Sequence, residues 1–306
     1  MILCAGEALI DMLPRESAAG EQAFAPYAGG AVFNTAIALG RLEAPVGFFS
    51  GISTDLFGDI LTRTLGTANV DASFAARSDR PTTLAFVTLK NGHASYAFYD
   101  ENTAGRMLSK NDLPALGDDV SAMFFGGISL VVEPCAAAYE ALMEREAGKR
   151  LMMIDPNIRP GFITDETTYR SRISRMLRHA DIIKLSDEDL AWLAGHDDTE
   201  TGARALLADG AQLVCITKGS EGVTGFSDTG EISVAARRVD VVDTVGAGDT
   251  FNAGLLAALH EANALTKDAV AALDKDVIRK ALELGVRAAA VTVSRAGANP
   301  PTRDEL

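Results

Sequence analysis

The chain has 306 residues, 47% hydrophobic and 23% charged, an ordinary globular mix and long enough for one α/β unit around a single sheet. Its 28 Lys and Arg stand against 42 Asp and Glu, a formal charge of −14. Such a surface repels phosphate backbones and anionic lipid, so no nucleic acid and no membrane are expected as partners, and small molecules remain.

Residues 1–4 read as a first short apolar strand. The opening MILCAGEALIDML carries no basic head and meets an acid at Glu7, so it does not read as a signal peptide. No apolar run approaches the ~20 residues that span a bilayer, and a cytoplasmic protein is expected. A helical pattern over 32–42 follows, then a strand over 46–51. Further strands are expected over 122–125, 151–154, 181–185 and 213–217, with helices over 136–146, 169–179 and 200–208 between or after them. Two Ala-rich helices, over 248–260 and 277–291, complete the pattern. Strand–helix alternation at this spacing predicts an α/β three-layer sandwich with a mostly parallel central sheet, treated as one unit over 1–306. Cys4 and Cys215 fall in apolar strands, and with Cys135 the count is odd with no CxxC pair. Buried, reduced thiols are expected rather than a disulfide framework.

One segment breaks the alternation. Two β-rich runs, over 82–89 and 94–99, flank Lys90-Asn91-Gly92-His93. Asn-Gly between such runs predicts a tight hairpin, because both residues tolerate the positive φ of a type I′ turn. A hairpin of this kind must leave a parallel sheet. With residues 11–26, residues 82–102 are expected to form a small β lid over the cleft. Leu84, Phe86 and Phe98 need burial there, which favours a lid that also packs on a partner subunit.

The densest chemistry lies in Val242-Asp243-Thr244-Val245-Gly246-Ala247-Gly248-Asp249-Thr250-Phe251. A Gly-Ala-Gly turn entering a helix leaves backbone N–H groups unpaired at the positive end of the helix dipole, which makes an anion site. Asp249 follows directly. It could simply cap the helix, since Asp is common there. Beside an anion cradle it could also take the proton from a hydroxyl attacking a phosphorus held by those amides.

Asp243-Thr244-x-Gly246-Ala247-Gly248-Asp249 resembles the C-terminal signature of the ribokinase-like, PfkB-type carbohydrate kinases. Gly29-Gly30-Ala31-Val32-Phe33-Asn34-Thr35-Ala36, followed by Gly40-Arg41-Leu42, resembles their N-terminal signature. Within that family the likeness is to the bacterial fructokinases, through Gly6-Glu7-Ala8-Leu9-Ile10-Asp11-Met12, Phe98-Tyr99-Asp100-Glu101-Asn102-Thr103-Ala104 and Asp155-Pro156-Asn157-Ile158-Arg159-Pro160. The resemblance implies a ribokinase-like fold and phosphoryl transfer from ATP, with Mg2+, to D-fructose, giving fructose 6-phosphate.

It also implies roles. Asp249 would be the base, and the amides of Gly246, Ala247 and Gly248 would hold the transferring charge. Asp11, Gly30, Asn34 and Phe98 would bind the sugar, and Arg159 would meet both sugar and phosphoryl group. Asp11 stands at the end of the first strand, and strand carboxyl ends are where α/β sheets bind ligands. Asn34 opens an otherwise apolar helix, where a cap or a ligand must satisfy it. For the nucleotide, Thr217-Lys218-Gly219-x-x-Gly222 resembles the family's segment along the phosphates and ribose, with Gly248 and Lys184 as further contacts. The adenine is expected between the loop before Asp243 and the helix carrying 285–290, whose small residues leave room for a flat ring.

Two departures stand out. Where the family often has Asn-x-x-Glu, which organises Mg2+ through water, this chain has Ser186-Asp187-Glu188-Asp189, so Asp189 is the carboxylate left to act through water. Many relatives hold a monovalent cation between loops equivalent to 243–245 and 295–301. Pro301 stands where some ribokinases have a Ser ligand, so a K+ requirement stays open here. His93, His179, His196 and His260 show no ligand spacing. The alternatives are a kinase for another sugar or sugar acid, such as 2-keto-3-deoxygluconate, and a non-catalytic sensor of sugar or nucleotide. The acidic, aromatic run Phe98-Tyr99-Asp100-Glu101 favours a neutral sugar. A homodimer through the lid is expected.

Overall fold

The computed structural model describes residues 1–90 and 93–306. The expected Asn91-Gly92 turn lies outside the described residues. In chain order the first elements are β1 (Ile2–Ala5), β2 (Leu9–Glu16), β3 (Gln22–Gly29), α1 (Ala31–Arg41), β4 (Val46–Phe49), β5 (Gly51–Ser53), α2 (Leu56–Thr67), β6 (Ala76–Ser78), β7 (Leu84–Lys90) and β8 (His93–Tyr99). Then come β9 (Ala122–Gly126), α3 (Cys135–Glu146), β10 (Leu151–Asp155), α4 (Glu166–Leu177), β11 (Ile182–Ser186), α5 (Asp187–Ala194), α6 (Thr199–Ala208) and β12 (Leu213–Thr217). The chain closes with β13 (Val223–Ser227), β14 (Gly230–Val234), α7 (Ala247–Glu261), α8 (Lys267–Ala271) and α9 (Lys275–Val293).

Among the described residues the central sheet has eight strands in the order β14-β13-β12-β11-β10-β9-β1-β4. From β12 to β4 the pairs are parallel, and β13 and β14 add antiparallel to the far edge. Strands β1, β4, β9 and β10 are buried along their whole length, as strands covered on both faces must be. Alternation along β1 shows the three layers. Ile2 and Cys4 pack in one core with residues of α1, α7 and α9. Leu3 and Ala5 pack in another with residues of α3, α4 and α5. Cys4, Cys135 and Cys215 are free and buried, as expected, and burial pushes all three thiols up. No helix among the described residues is long and apolar enough to cross a membrane.

The sequence pattern misses α2, α5, α8, β6, β13 and β14. Helix α2 carries Gly58 and Gly66, which weaken its helical signal. In β13, Gly225 interrupts the apolar run because Leu282 of α9 lies 2.9 Å from where its Cβ would be. Most helices open on a side-chain cap, from Asp55, Asp165, Ser186, Asp198, Thr266 or Asp274. Helices α1 and α7 open instead on Gly30 and Gly246, with no side-chain cap. Their N-terminal amides are left for other partners.

The hairpin β7–β8 leaves the main sheet, and it is not alone. It joins β2–β3 in a second sheet of order β3-β2-β7-β8, with β2 and β7 parallel. Register divides its side chains between two faces. Tyr27, Asp11, Ala85 and Phe98 lie abreast, and so do Met12, Phe86 and Ala97 one step along. Leu84 and Phe86 therefore occupy the face opposite Phe98, whereas the pattern of apolar residues grouped the three together.

Candidate active site

Asp249 is the third residue of α7 and is not its cap, since Gly246 holds that place. Its carboxylate turns away from its own helix and accepts a hydrogen bond from Asn34 Nδ2 at 2.9 Å. Thr35, the next residue of α1, donates its hydroxyl to the Asp249 carbonyl at 3.2 Å. Asp249 is 8% exposed. Burial raises its pKa to about 7, against the pull of the Asn34 hydrogen bond, with Asp155 and Glu7 adding to the rise and Lys184 opposing it. A carboxylate poised there can accept a proton near neutral pH.

The N–H groups of Gly246, Gly248 and Asp249 have no protein acceptor among the described residues, whereas the Ala247 N–H donates to Thr244 O at 3.3 Å. The cradle is thus narrower than the Gly-Ala-Gly pattern implies. Its free donors lie at the positive end of α7, where Asp249 also stands.

Beneath the α7 terminus lies a buried polar cluster. Lys184 Nζ donates to Asp155 Oδ2 at 2.9 Å, and Asn252 Nδ2 donates to the same oxygen at 2.7 Å. Burial works against the Lys184 charge, but the Asp155 carboxylate, with Asp189 and Asp249 beyond it, more than offsets this and raises its pKa. Nζ lies 3.2 Å from where a Cβ on Gly248 would be. Lys184 therefore backs the cradle from within instead of lining the nucleotide cavity. Asp189 accepts from Ile158 N–H at 3.1 Å, and burial raises its pKa. Ser186 caps α5 through Asp189 N–H at 3.0 Å.

The remaining predicted sugar contacts come from β2, the α1 terminus, β8 and the loop after β10. The Asp11 carboxylate has no hydrogen-bond partner among the described residues, and burial raises its pKa to about 6. A methyl group on Gly29, one residue before Gly30, would overlap its Oδ2. Phe98 reaches from the lid to the main body, edge-on to Phe162 at 4.6 Å. Arg159, exposed at the end of the β10 loop, follows Ile158 and precedes the 160–162 turn that carries Phe162.

Beside the α7 terminus opens a cavity of about 680 Å³. Thr217, Gly219, Gly222, Ala247 and Gly248 line it, with Val241 on one wall and Val286, Ala289 and Ala290 of α9 on another. Gly285 does not line it. It packs on α7, where a methyl group on Gly254 would come within 2.7 Å of its Cα. Of the 285–290 stretch, Val286, Ala289 and Ala290 face the cavity, and Gly285 serves helix packing. The sequence reading also missed Arg237 and Arg238, which stand at this cavity with no acidic partner among the described residues, and Asp155, whose motif was visible but whose lysine partner comes from another strand.

Residues 1–305 match the pfkB family carbohydrate kinase model. The chain is 57% identical over 279 residues to a fructokinase from Rhizobium leguminosarum bv. trifolii, covering 91% of this chain and 86% of that one. It resembles the structure of a Xylella fastidiosa fructokinase with bound ATP, with TM-score 0.87, 30% identity, and 97% and 93% of the two chains covered. A Vibrio cholerae O395 fructokinase double mutant in fructose, ADP and potassium ion bound form aligns with TM-score 0.85 and 25% identity, over 97% and 93% of the two chains. The chain belongs to the pfkB family of carbohydrate kinases.

Proposed function

We propose that this protein is a fructokinase, transferring the terminal phosphoryl group of ATP to the 6-hydroxyl of D-fructose. The observation that carries this reading is the Asp249 carboxylate, held by Asn34 beside unpaired helix-terminal amides, in a chain 57% identical to a fructokinase. Asp249 takes the proton of the hydroxyl as its oxygen bonds to the γ-phosphorus. The bond from that phosphorus to the β–γ bridging oxygen breaks, and ADP carries the electron pair away. The amides of Gly246 and Gly248 meet the charge spread over the transferring oxygens, while Arg159 approaches from the β10 side.

Asp11, Gly30, Asn34 and Phe98 hold the sugar. Thr217, Gly219, Gly222 and Gly248 hold the nucleotide in the 680 Å³ cavity, with adenine between Val241 and Ala289–Ala290. A neutral sugar fits better than a sugar acid, because Arg106, near the lid, is already paired with Asp100 at 3.0 Å.

No group of three or more acidic, His or Cys side chains suited to a metal occurs among the described residues. Asp155 accepts from Lys184 and Asn252 on one oxygen and from Asn157 N–H on the other, whereas among the described residues Asp189 and Asp249 each keep one carboxylate oxygen without a partner. This donor set suits Mg2+, which keeps most of its waters and binds nucleotide oxygens. Bound there, the ion would neutralise phosphate charge, with Asp189 acting through water. For a monovalent cation, Asp243 ties the two relevant loops together by accepting from Val245 N–H at 3.0 Å and Gly297 N–H at 2.9 Å. A potassium ion in the Vibrio cholerae relative supports K+ as the occupant.

Two copies pair through the outer lid face, where Phe24, 42% exposed, Phe86 and Tyr99, 63% exposed, form an edge-to-face ladder. The three reduced cysteines suit a cytoplasmic enzyme. A coupled ADP-release assay over a panel of sugars and sugar acids tests the reading. Fructose should give the highest kcat/KM, and ADP release with another sugar but not with fructose would overturn it.

A further inference from the structure

Glu7 has so far entered only as a charge that adds to the rise of the Asp249 pKa. It sits in the bend between β1 and β2, and its carboxylate serves two chain segments at once. Oε1 accepts the N–H of Ala31, the first residue of α1, at 2.8 Å. Oε2 accepts the N–H of Ser129, in the short turn after β9, at 3.2 Å. Both segments begin at a glycine that offers no side-chain cap, Gly30 and Gly127. The carboxylate thus supplies in trans the cap that neither segment has of its own.

Steric crowding shows how closely the three residues are fitted. Gly30 has φ 110 and Gly127 has φ 70, conformations that favour glycine. A methyl group on Gly30 would come within 2.8 Å of the Glu7 carbonyl oxygen, and one on Gly127 would overlap Glu7 Oε1. Both glycines are therefore set around Glu7. Burial raises the pKa of its carboxyl, against the pull of the amides it accepts.

Gly30 and Asn34 lie within the first turn of α1, and Asn34 holds Asp249. We infer that Glu7 is a positioning residue for the sugar half of the site, fixing the α1 terminus so that Gly30 and Asn34 present one geometry to the sugar and to Asp249. This rests on the fructokinase reading for the sugar's identity but not for the positioning. Among the described residues no Glu7 hydrogen bond reaches the α7 terminus or the nucleotide cavity, so the KM effect should be confined to the sugar, while loss of the Glu7 charge should also lower the Asp249 pKa.

Glu7→Gln keeps the shape and puts an N–H₂ where one of the two amides needs an acceptor. Gly127→Ala displaces the same carboxylate without altering it. Each folded variant should raise the sugar KM ~10-fold, the scale of one charge-assisted hydrogen bond, and leave the ATP KM within about twofold. In the ligand-free protein, hydrogen exchange over 28–36 and 126–131 should quicken together, while α9 exchanges as in wild type. Combining the two substitutions should add little to either alone, because both remove one interaction. A folded Glu7→Gln protein with unchanged sugar KM and unchanged exchange over 28–36 overturns the inference, as does an equal rise in both KM values. The exchange measurement needs no sugar. If wild type fails to phosphorylate fructose, the fructokinase reading falls, and faster exchange at both segments still upholds the positioning role.

Discussion

Asn34 and Asp249, 215 residues apart in sequence, are joined by a single hydrogen bond of 2.9 Å between α1 and α7. The bond aims the carboxylate away from its own helix and out of a capping role. Asp249→Asn should retain sugar and ATP binding while kcat falls ~10²–10⁴-fold, the range for loss of a general base. Calorimetric titration of each ligand beside the coupled assay checks both halves, and a variant with near-normal turnover would remove Asp249 from the chemistry.

The same residue sets a pH dependence. Asp249 must be ionised to accept a proton, and its pKa stands at about 7, so kcat/KM should rise with pH and level off above that value. Stability should run the other way. Folded protein keeps the Asp249 proton to about pH 7, whereas an unfolded aspartate releases it near 3.8. Folding therefore binds a proton between those values, and this contribution is lost as pH rises through the window. Asp249→Asn should be the more stable protein above pH 7, by at most about 4 kcal/mol, with the gap closing below pH 4. Urea melts across pH 4–8 measure it.

Gly254 and Gly285 bring α7 and α9 together behind the nucleotide cavity. Gly285→Ala should cost ~1–3 kcal/mol through overpacking against Phe251, seen as a lower Tm. The ATP KM should change little in protein that remains folded. A large, selective rise in the ATP KM with normal stability would return Gly285 to the adenine pocket.

Phe98 is the lid's aromatic contact with Phe162 on the body. Phe98→Ala should raise the fructose KM ~10-fold, on the scale of a lost aromatic contact plus its burial, and spare the ATP KM. Fructose should also slow amide exchange along 82–102 more than ATP does. Exchange untouched by fructose would show that this sheet does not close on the sugar.

On the opposite lid face, Tyr99→Glu places a charge in the Phe24–Phe86–Tyr99 ladder. Light scattering should find wild type dimeric at micromolar concentration and the variant shifted toward monomer. A wild-type monomer with full activity would dismiss the dimer.

Much of this architecture was legible because strands buried on both faces read as unbroken apolar runs, and because Asp249 follows its glycines directly. Order in the lid was not. Whether Phe98 and Phe86 share a face depends on pairing register, which a run of alternating aromatic and small residues leaves undetermined. The Lys184–Asp155–Asn252 cluster joins three separate elements, and no local spacing announces such a meeting. Lys184 reads as a phosphate contact because it ends a strand beside the cleft, and its pairing with a carboxylate from the neighbouring strand was not visible in the sequence.

Strand β1 lies inside the sheet, with β4 along one edge and β9 along the other. A growing chain can complete the first pairing once residue 49 is free of the ribosome, whereas the second must wait for residue 126. At roughly 5–20 residues per second that interval lasts about 4–15 s. Throughout it Ile2, Leu3, Cys4 and Ala5, all fully buried in the finished molecule, present an open apolar edge that can template pairing with another chain. Yield on overproduction should therefore depend on translation speed and chaperone supply, more than the compactness of the finished enzyme would suggest.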